Sequence, residues 1–123
     1  MAKKNSGISS EQEASDVVLS FINAINQEDF TAARKCVLDT MTFHGVLGSR
    51  NGAEDYFNDM KKMKFKYDIK KVFQHNDDVC LLYDINMSGT TIFTCGWYHL
   101  EDGKIDSLRV IFDPRPVLEG AKK

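Results

Sequence analysis

The sequence has no run of apolar residues that approaches the roughly 20 needed for a membrane-spanning helix. Residues 1–13 carry two lysines without an apolar stretch after them, so we do not expect a secretory signal. An excess of charge is also lacking, because 16 basic residues face 18 acidic ones and leave a formal net charge of -2. Nucleic acid and membranes are therefore not expected as partners, and we predict a cytoplasmic protein.

Cysteine is scarce, and the motifs of several cofactor-binding classes are missing. Cys36, Cys80 and Cys95 are an odd number without C-x-x-C spacing, which favours reduced thiols over disulfides. Cys95 and His99 share a strand face, but two potential ligands do not make a zinc site. There is no P-loop, dinucleotide-binding fingerprint or H-E-x-x-H motif. We therefore predict neither a cofactor nor a metal.

The length and composition are those of one soluble globular domain. The chain has 123 residues, of which 42% are hydrophobic and 28% charged. We predict a single domain at residues 9–118, with flexible tails at 1–8 and 119–123.

The first half of the chain predicts three helices and one strand. Ser10 and Glu13 have the spacing of a capping box, and apolar residues recur at helical spacing up to Ile25. Asp29 can cap a second helix at residues 30–37, and Asn51-Gly52 precedes a third at 53–63. Residues 40–47, between the second and third helices, contain Thr, Phe and Val and predict a strand.

The second half predicts a four-stranded antiparallel meander. From Phe65 onward the apolar period changes to two, and Asp102-Gly103 forms a hairpin turn between the last two strands. The strand at 90–101 is apolar on both faces, with Tyr98 on one and Trp97 on the other. A sheet with one wet face should alternate with polar residues, so the second face must be covered. We predict that a second copy covers it, giving a homodimer through the sheet.

The order of these elements resembles the nuclear transport factor 2-like (NTF2-like) superfamily, in its SnoaL-like and steroid delta-isomerase-like branch. The resemblance rests on "VVLSFINAINQEDFTAARKCVLDTMTF", on "SRNGAEDYF" and on "HLEDGKIDSLRVIFDPRPVL". It implies an α+β, cystatin-like cone in which three N-terminal helices pack on a curved, mostly antiparallel sheet. The superfamily includes isomerases, polyketide cyclases, epoxide hydrolases and non-enzymatic members, so the fold does not name a reaction.

The same resemblance implies that steroid isomerase chemistry is lost. The positions of the oxyanion-binding tyrosine and the general-base aspartate fall on Phe21 and Gly45, and that of the protonated aspartate on or near Gly96. Removing one oxyanion donor alone costs about 2.7 to 4 kcal/mol of transition-state stabilisation. No inherited mechanism is left.

Two functions therefore stay open for this sequence. In the first, a mainly apolar pocket binds a small hydrophobic molecule without transforming it. In the second, an acid-base enzyme of the isomerase, polyketide cyclase or epoxide hydrolase type uses His44, Asp84 or both as catalytic groups, although a structural role is favoured for each of these residues. The side chains that we expect to line the pocket are Phe21, Phe43, Tyr56, Tyr98, Leu108 and Val110.

Overall fold

A computed structural model describes residues 10–87 and 89–121 of the chain. Its helices are α1 (Ser10–Asn26), α2 (Phe30–Arg34), α3 (Ala53–Met63) and α4 (Arg115–Ala121). Its strands are β1 (Val37–Gly45), β2 (Gly48–Asn51), β3 (Lys66–His75), β4 (Asp78–Met87), β5 (Thr90–Glu101) and β6 (Lys104–Phe112). The predicted tail at 1–8 and the last two residues of the tail predicted at 119–123 lie outside the described residues, whereas residues 119–121 belong to α4.

The helices follow the predicted apolar periods with local differences at their ends. The side chains of the capping box predicted at Ser10 and Glu13 lie outside those that the structure describes. Asp29 does cap α2, since its Oδ1 accepts a hydrogen bond of 3.1 Å from the Ala32 amide. Helix α2 ends at Arg34, three residues earlier than predicted, because Val37 already pairs in the sheet.

The six strands form one open sheet in the order β2-β1-β6-β5-β4-β3. All neighbouring strands are antiparallel except β1 and β6, which run parallel. The predicted meander of four strands is confirmed as β3 to β6, and both Asp102 and Gly103 have the positive φ of its last turn. Strand β1 covers 37–45 rather than 40–47, and β2 and α4 were not predicted.

Helices and sheet enclose one hydrophobic core. Helix α1 packs on β3, β4 and β6 and buries Val18, Phe21 and Ile25 against the sheet. Burying a large aliphatic or aromatic side chain contributes about 1.5–3 kcal/mol, so this layer dominates the stability of the fold. The predicted α+β fold with helices on a mostly antiparallel sheet is thus confirmed. Among the described residues, no helix is long and apolar enough to span a membrane.

The Asn26 side chain ties the end of α1 to the edge strand β3. Its Nδ2 donates to the Tyr67 carbonyl at 2.9 Å, and its Oδ1 accepts from the Tyr67 amide at 2.7 Å. Both backbone groups on the free edge of β3 are therefore satisfied at this residue.

Candidate functional site

A cavity of about 200 Å³ opens at the end of the sheet, between the β1–β2 hairpin and α3. We call it the hairpin cavity. The ends of β4 and β6 and the segment just before β3 complete its wall. Its lining residues are Phe43, Gly45, Val46, Leu47, Gly48, Arg50, Tyr56, Asp59, Met60, Met63, Phe65, Met87 and Phe112.

Apolar side chains at the rim of the hairpin cavity are unusually exposed. Val46 and Leu47 form the two-residue turn between β1 and β2 and are 44% and 56% exposed, although turns favour polar residues and glycine. Met63, at the last turn of α3, is 46% exposed. The rim therefore exposes apolar side chains from a short hairpin turn and from a flexible methionine. Their exposure does not stabilise a monomer that has no ligand.

One ion pair supplies the charge of this cavity. Arg50 Nε donates to Asp59 Oδ2 at 2.6 Å, and Arg50 Nη1 donates to the Ser49 carbonyl at 2.8 Å. The pair joins β2 to α3 across the rim. It is partly exposed, so its contribution to stability is small.

Four tyrosines, Tyr56, Tyr67, Tyr83 and Tyr98, form a cluster in the interior; we call it the tyrosine group. They come from α3, β3, β4 and β5. The rings of Tyr67 and Tyr83 lie 5.1 Å apart between centroids, and Tyr56 also belongs to the wall of the hairpin cavity. Every tyrosine of the chain is in this cluster.

Burial keeps the hydroxyls of the tyrosine group protonated. It raises the pKa of Tyr56, Tyr83 and Tyr98 well above the ordinary tyrosine range, and it raises that of Tyr67 as well. For Tyr56, Tyr83 and Tyr98, repulsion from neighbouring phenolates raises the pKa further. At neutral pH these groups are therefore hydrogen-bond donors rather than bases.

The predicted pocket residues divide into two sets. Phe43 and Tyr56 line the hairpin cavity. The other four, Phe21, Tyr98, Leu108 and Val110, are buried in the core and do not line it. The cavity therefore lies nearer the hairpin than the sequence indicated.

Neither predicted catalytic residue lines the hairpin cavity. His44 is exposed on β1, and its Nδ1 lies 3.4 Å from Ser49 Oγ on β2. Asp84 lies on the face of β4 opposite the buried Tyr83, with its Oδ2 3.8 Å from Lys70 Nζ. The structure does not bring these two side chains together.

The three positions of the lost isomerase groups are closely packed. Phe21 is buried in the core. A Cβ on Gly45 would lie 2.9 Å from Phe43 Cζ, and one on Gly96 would lie 3.2 Å from the Tyr83 hydroxyl. Ordinary carbon contacts are about 3.5–4.0 Å, so a larger side chain does not fit at either glycine without movement.

Two further polar sites lie outside the cavity. A groove of about 520 Å³ between α2 and α3 is larger but is lined mainly by charged and polar side chains, including the ion pair of Arg34 with Asp39. On the outer face of the sheet, His99 lies between Asp78, at 2.9 Å, and Glu101, at 2.6 Å. In the part of the chain that the structure describes, no group of three His, Cys, Asp or Glu side chains could hold a metal ion.

Sequence reasoning missed the residues that distinguish this cavity. Val46 and Leu47 were assigned to the end of a strand, so their exposure in a turn was not foreseen. Their sequence, two large apolar residues between Gly45 and Gly48, was the signal that could have found them. Met63, Met87 and Phe112 lie at the ends of α3, β4 and β6. The apolar periodicity of each element does not predict that these ends meet in space.

Comparisons with known proteins agree on the fold. The family model of the SnoaL-like domain matches residues 18–108. An NTF2-like protein of unknown function from Cytophaga hutchinsonii is 55% identical, with a TM-score of 0.84 over 85% of this chain and 94% of that one. No curated protein matches the sequence.

More distant structures share the fold alone. An LEH-like epoxide hydrolase from M. tuberculosis is 21% identical, with a TM-score of 0.79 over 90% of each chain. A protein of unknown function with a cystatin-like fold from Methylobium petroleophilum is 10% identical, with a TM-score of 0.76 over 85% of this chain and 78% of that one.

Proposed function

We propose that this chain, which belongs to the SnoaL-like domain family and has the NTF2-like fold, binds a small hydrophobic molecule in the hairpin cavity without transforming it. The observation that carries this proposal is the apolar lining of the cavity, with Val46, Leu47 and Met63 exposed at its rim. Ligand sites are typically concave and mostly apolar, with few polar groups.

The size of the cavity limits the ligand. An apolar cavity of about 150 Å³ holds benzene, so one of about 200 Å³ suits a molecule with a single substituted ring or its aliphatic equivalent. The exposed rim residues can close over such a molecule and lose their contact with water. Each buried CH₂ group then contributes about 0.8 kcal/mol to binding.

Binding without chemistry is favoured because the cavity offers no free acid-base group among the described residues that line it. Its one carboxylate, Asp59, is held by Arg50, and its tyrosine hydroxyl is a weak acid whose pKa burial raises. His44 and Asp84 lie elsewhere, so the acid-base alternative gains no support from their positions.

Methionine methyl groups provide the test. The protein, labelled with ¹³C at the methionine methyls, is titrated with α-methylstyrene, a small planar apolar probe. We expect saturable shifts of Met60, Met63 and Met87, which line the cavity, and none of Met41, which is fully buried in the core. Equal shifts at Met41, or no saturable shift at all, would contradict the proposal.

A pair of rim variants makes the test specific. Leu47→Ser removes apolar surface from the cavity, whereas Leu118→Ser removes a similarly exposed leucine, 47% against 56%, from α4. We expect Leu47→Ser to weaken binding of α-methylstyrene about three- to tenfold and Leu118→Ser to leave it unchanged.

We also propose that the chain forms a homodimer through the outer face of β3 to β6. Four large apolar side chains on this face are about half exposed or more: Phe73 56%, Phe93 60%, Trp97 48% and Ile111 59%. Four strands of about ten residues offer roughly 600 Å² per protomer, which is the lower end of a standard protein interface. A second copy matches this face because each copy presents the same four exposed apolar side chains.

Sedimentation velocity at micromolar concentration tests the dimer. We expect a dimer for the natural chain and for Leu47→Lys, and a monomer for Ile111→Lys, because a lysine there would be buried unpaired in the interface. A natural chain that sediments only as a monomer would refute this assembly.

A further inference from the structure

His99 lies between two carboxylates on the outer face of the sheet. Its Nδ1 lies 2.9 Å from Asp78 Oδ1, and its Nε2 lies 2.6 Å from Glu101 Oε2. A neutral imidazole has a proton on only one of its two nitrogens, so it can donate to only one of these oxygens. Both contacts are hydrogen bonds only when His99 is the doubly protonated imidazolium.

The same oxygen of Asp78 also holds the ring of Trp97. Trp97 Nε1 donates to Asp78 Oδ1 at 2.8 Å, so the indole and the imidazole share one acceptor. Trp97 is 48% exposed, and this bond fixes the orientation of its ring on the surface. Tryptophan is among the residue types that dominate the binding energy of protein interfaces. We call Asp78, Trp97, His99 and Glu101 the His99 corner.

The His99 corner adjoins the apolar side chains of the proposed dimer interface, and Trp97 belongs to both. Phe73 is in register with Cys80, and Cys80 with Trp97, so these three side chains form a row across β3, β4 and β5. His99 and Asp78 form the next row on the same face. Burial raises the pKa of the Cys80 thiol, which is therefore uncharged at neutral pH. A second copy that covers the first row also covers the corner.

We propose that the proton on His99 controls the affinity of the homodimer: the imidazolium favours the dimer, and its loss favours separate chains. This inference rests on the proposed function, which supplies the contact between two copies. His99 is a positioning residue in this interface, because it acts through Asp78 and Glu101 and, by way of Asp78, on the ring of Trp97.

Two effects oppose the dimer once His99 loses this proton. The two carboxylates then lack their cation, and taking an unpaired carboxylate out of water costs far more than burying a paired one. One ring nitrogen also presents a lone pair to a carboxylate oxygen at 2.6 or 2.9 Å, so Asp78 or Glu101 must move. A displaced Asp78 no longer fixes the indole of Trp97 in the interface.

The direction of the pH dependence follows from the partners of His99. Hydrogen bonds to Glu101 and then to Asp78 raise the pKa of His99 above 6.5. The dimer should therefore be tightest below pH 6.5 and weaken as the pH rises through the raised pKa. Protonation and dimerisation assist each other, because the state that a proton favours is also the state that binds the proton more tightly.

The other charged neighbours of the corner identify the control. On β6, Lys104, Asp106 and Arg109 flank the corner, but lysine, aspartate and arginine ordinarily titrate outside pH 5.5 to 9. On β3, His75 is in register with Asp78, and histidine does titrate in this range. A variant of His75 therefore provides the matched control for a variant of His99.

Dissociation constants of the dimer at different pH test the inference. Sedimentation velocity on a dilution series of the full chain is run at pH 5.5, 7 and 9. We expect the dissociation constant of the natural chain to rise about tenfold from pH 5.5 to pH 9. The fluorescence of Trp97, the one tryptophan of the chain, should change with dilution because the second copy shields its ring from water.

Three variants assign the change to the His99 corner. His99→Gln keeps a neutral hydrogen-bonding side chain, and we expect it to have, at every pH, the weak dissociation constant that the natural chain has at pH 9. Glu101→Gln removes the partner with the largest effect on the pKa of His99, so its transition should move to lower pH. His75→Gln should keep the pH dependence of the natural chain. Far-UV circular dichroism checks that each variant remains folded.

The outcomes separate the inference from the proposed dimer. A dimer whose dissociation constant does not change with pH, or an unchanged pH dependence in His99→Gln, would overturn the inference while the dimer stands. Loss of the pH dependence in His75→Gln would overturn it as well. A natural chain that is a monomer at every pH contradicts the proposed dimer, and the inference fails with it.

Discussion

Gly96→Ala tests how closely the tyrosine group is packed against β5. The added Cβ would lie 3.1 Å from Tyr98 Cε1, 3.2 Å from Tyr83 Cε1 and 3.2 Å from the Tyr83 hydroxyl oxygen. Both rings are 1% exposed, so neither can turn toward solvent to make room. The substitution therefore forces two buried aromatic rings, or the strand itself, to move by several tenths of an ångström.

Two effects of opposite sign determine the size of the change. Inserting a methyl group into a closely packed core costs about 1–3 kcal/mol. Alanine restricts the unfolded chain relative to glycine and gains about 0.4–1 kcal/mol where the backbone allows it. We expect overpacking to dominate and the free energy of unfolding to fall by about 1–2 kcal/mol.

Urea denaturation measures this fall against a matched glycine. With a slope of about 2 kcal/mol per molar urea, the midpoint of Gly96→Ala should fall by roughly 0.5–1 M. Gly48→Ala is the control, since Gly48 is exposed and a Cβ there would meet nothing closer than Arg50 Nη1 at 3.9 Å. We expect it to remain within about 0.5 kcal/mol of the natural chain. A Gly96→Ala midpoint equal to or above that of Gly48→Ala would refute the packing described for the tyrosine group.

Two further predictions concern polar contacts. Hydrogen bonds to Glu101 and then to Asp78 raise the pKa of His99 above 6.5, so its stabilising effect is full below pH 6.5 and is lost as the pH rises through the raised pKa. When urea midpoints are measured from pH 5.5 to 9, the midpoint of the natural chain should therefore exceed that of His99→Gln most at the acidic end. A difference in midpoint that stays constant with pH would contradict this. Asn26→Ala should lower the free energy of unfolding by about 1–3 kcal/mol because it leaves the backbone N–H and C=O of Tyr67 unpaired, and an unchanged urea midpoint would show that solvent replaces the amide.

Strong local patterns predicted most of the fold. Strands β5 and β6 have the predicted bounds, because a long alternation of apolar residues is interrupted only by Asp102-Gly103, whose turn type fixes the register. Strand β2 escaped prediction because "GSRN" has no apolar face, and it exists through its pairing with β1. Helix α4 begins directly after Pro114, which was interpreted as the end of the last strand rather than as a residue that precedes a helix.

The candidate site was less accessible to sequence reasoning. Alternation in β1 correctly separates His44 from Phe43, since neighbours on a strand point to opposite faces. That Phe43 and Tyr56 meet, with centroids 5.4 Å apart, depends on how α3 packs on β1, and no local pattern encodes this distance. The hairpin cavity could not be predicted for the same reason, because the ends of five elements build it.

The sequence by itself determined most of the elements, their buried faces and the family, because helix and strand periods and turn residues are local properties of the chain. Only the tertiary structure decided that tyrosines from four elements come together, two of them against Gly96, and that an apolar hairpin turn overhangs α3. Contacts between residues far apart in the chain depend on the packing of whole elements, which a pattern of near neighbours does not contain.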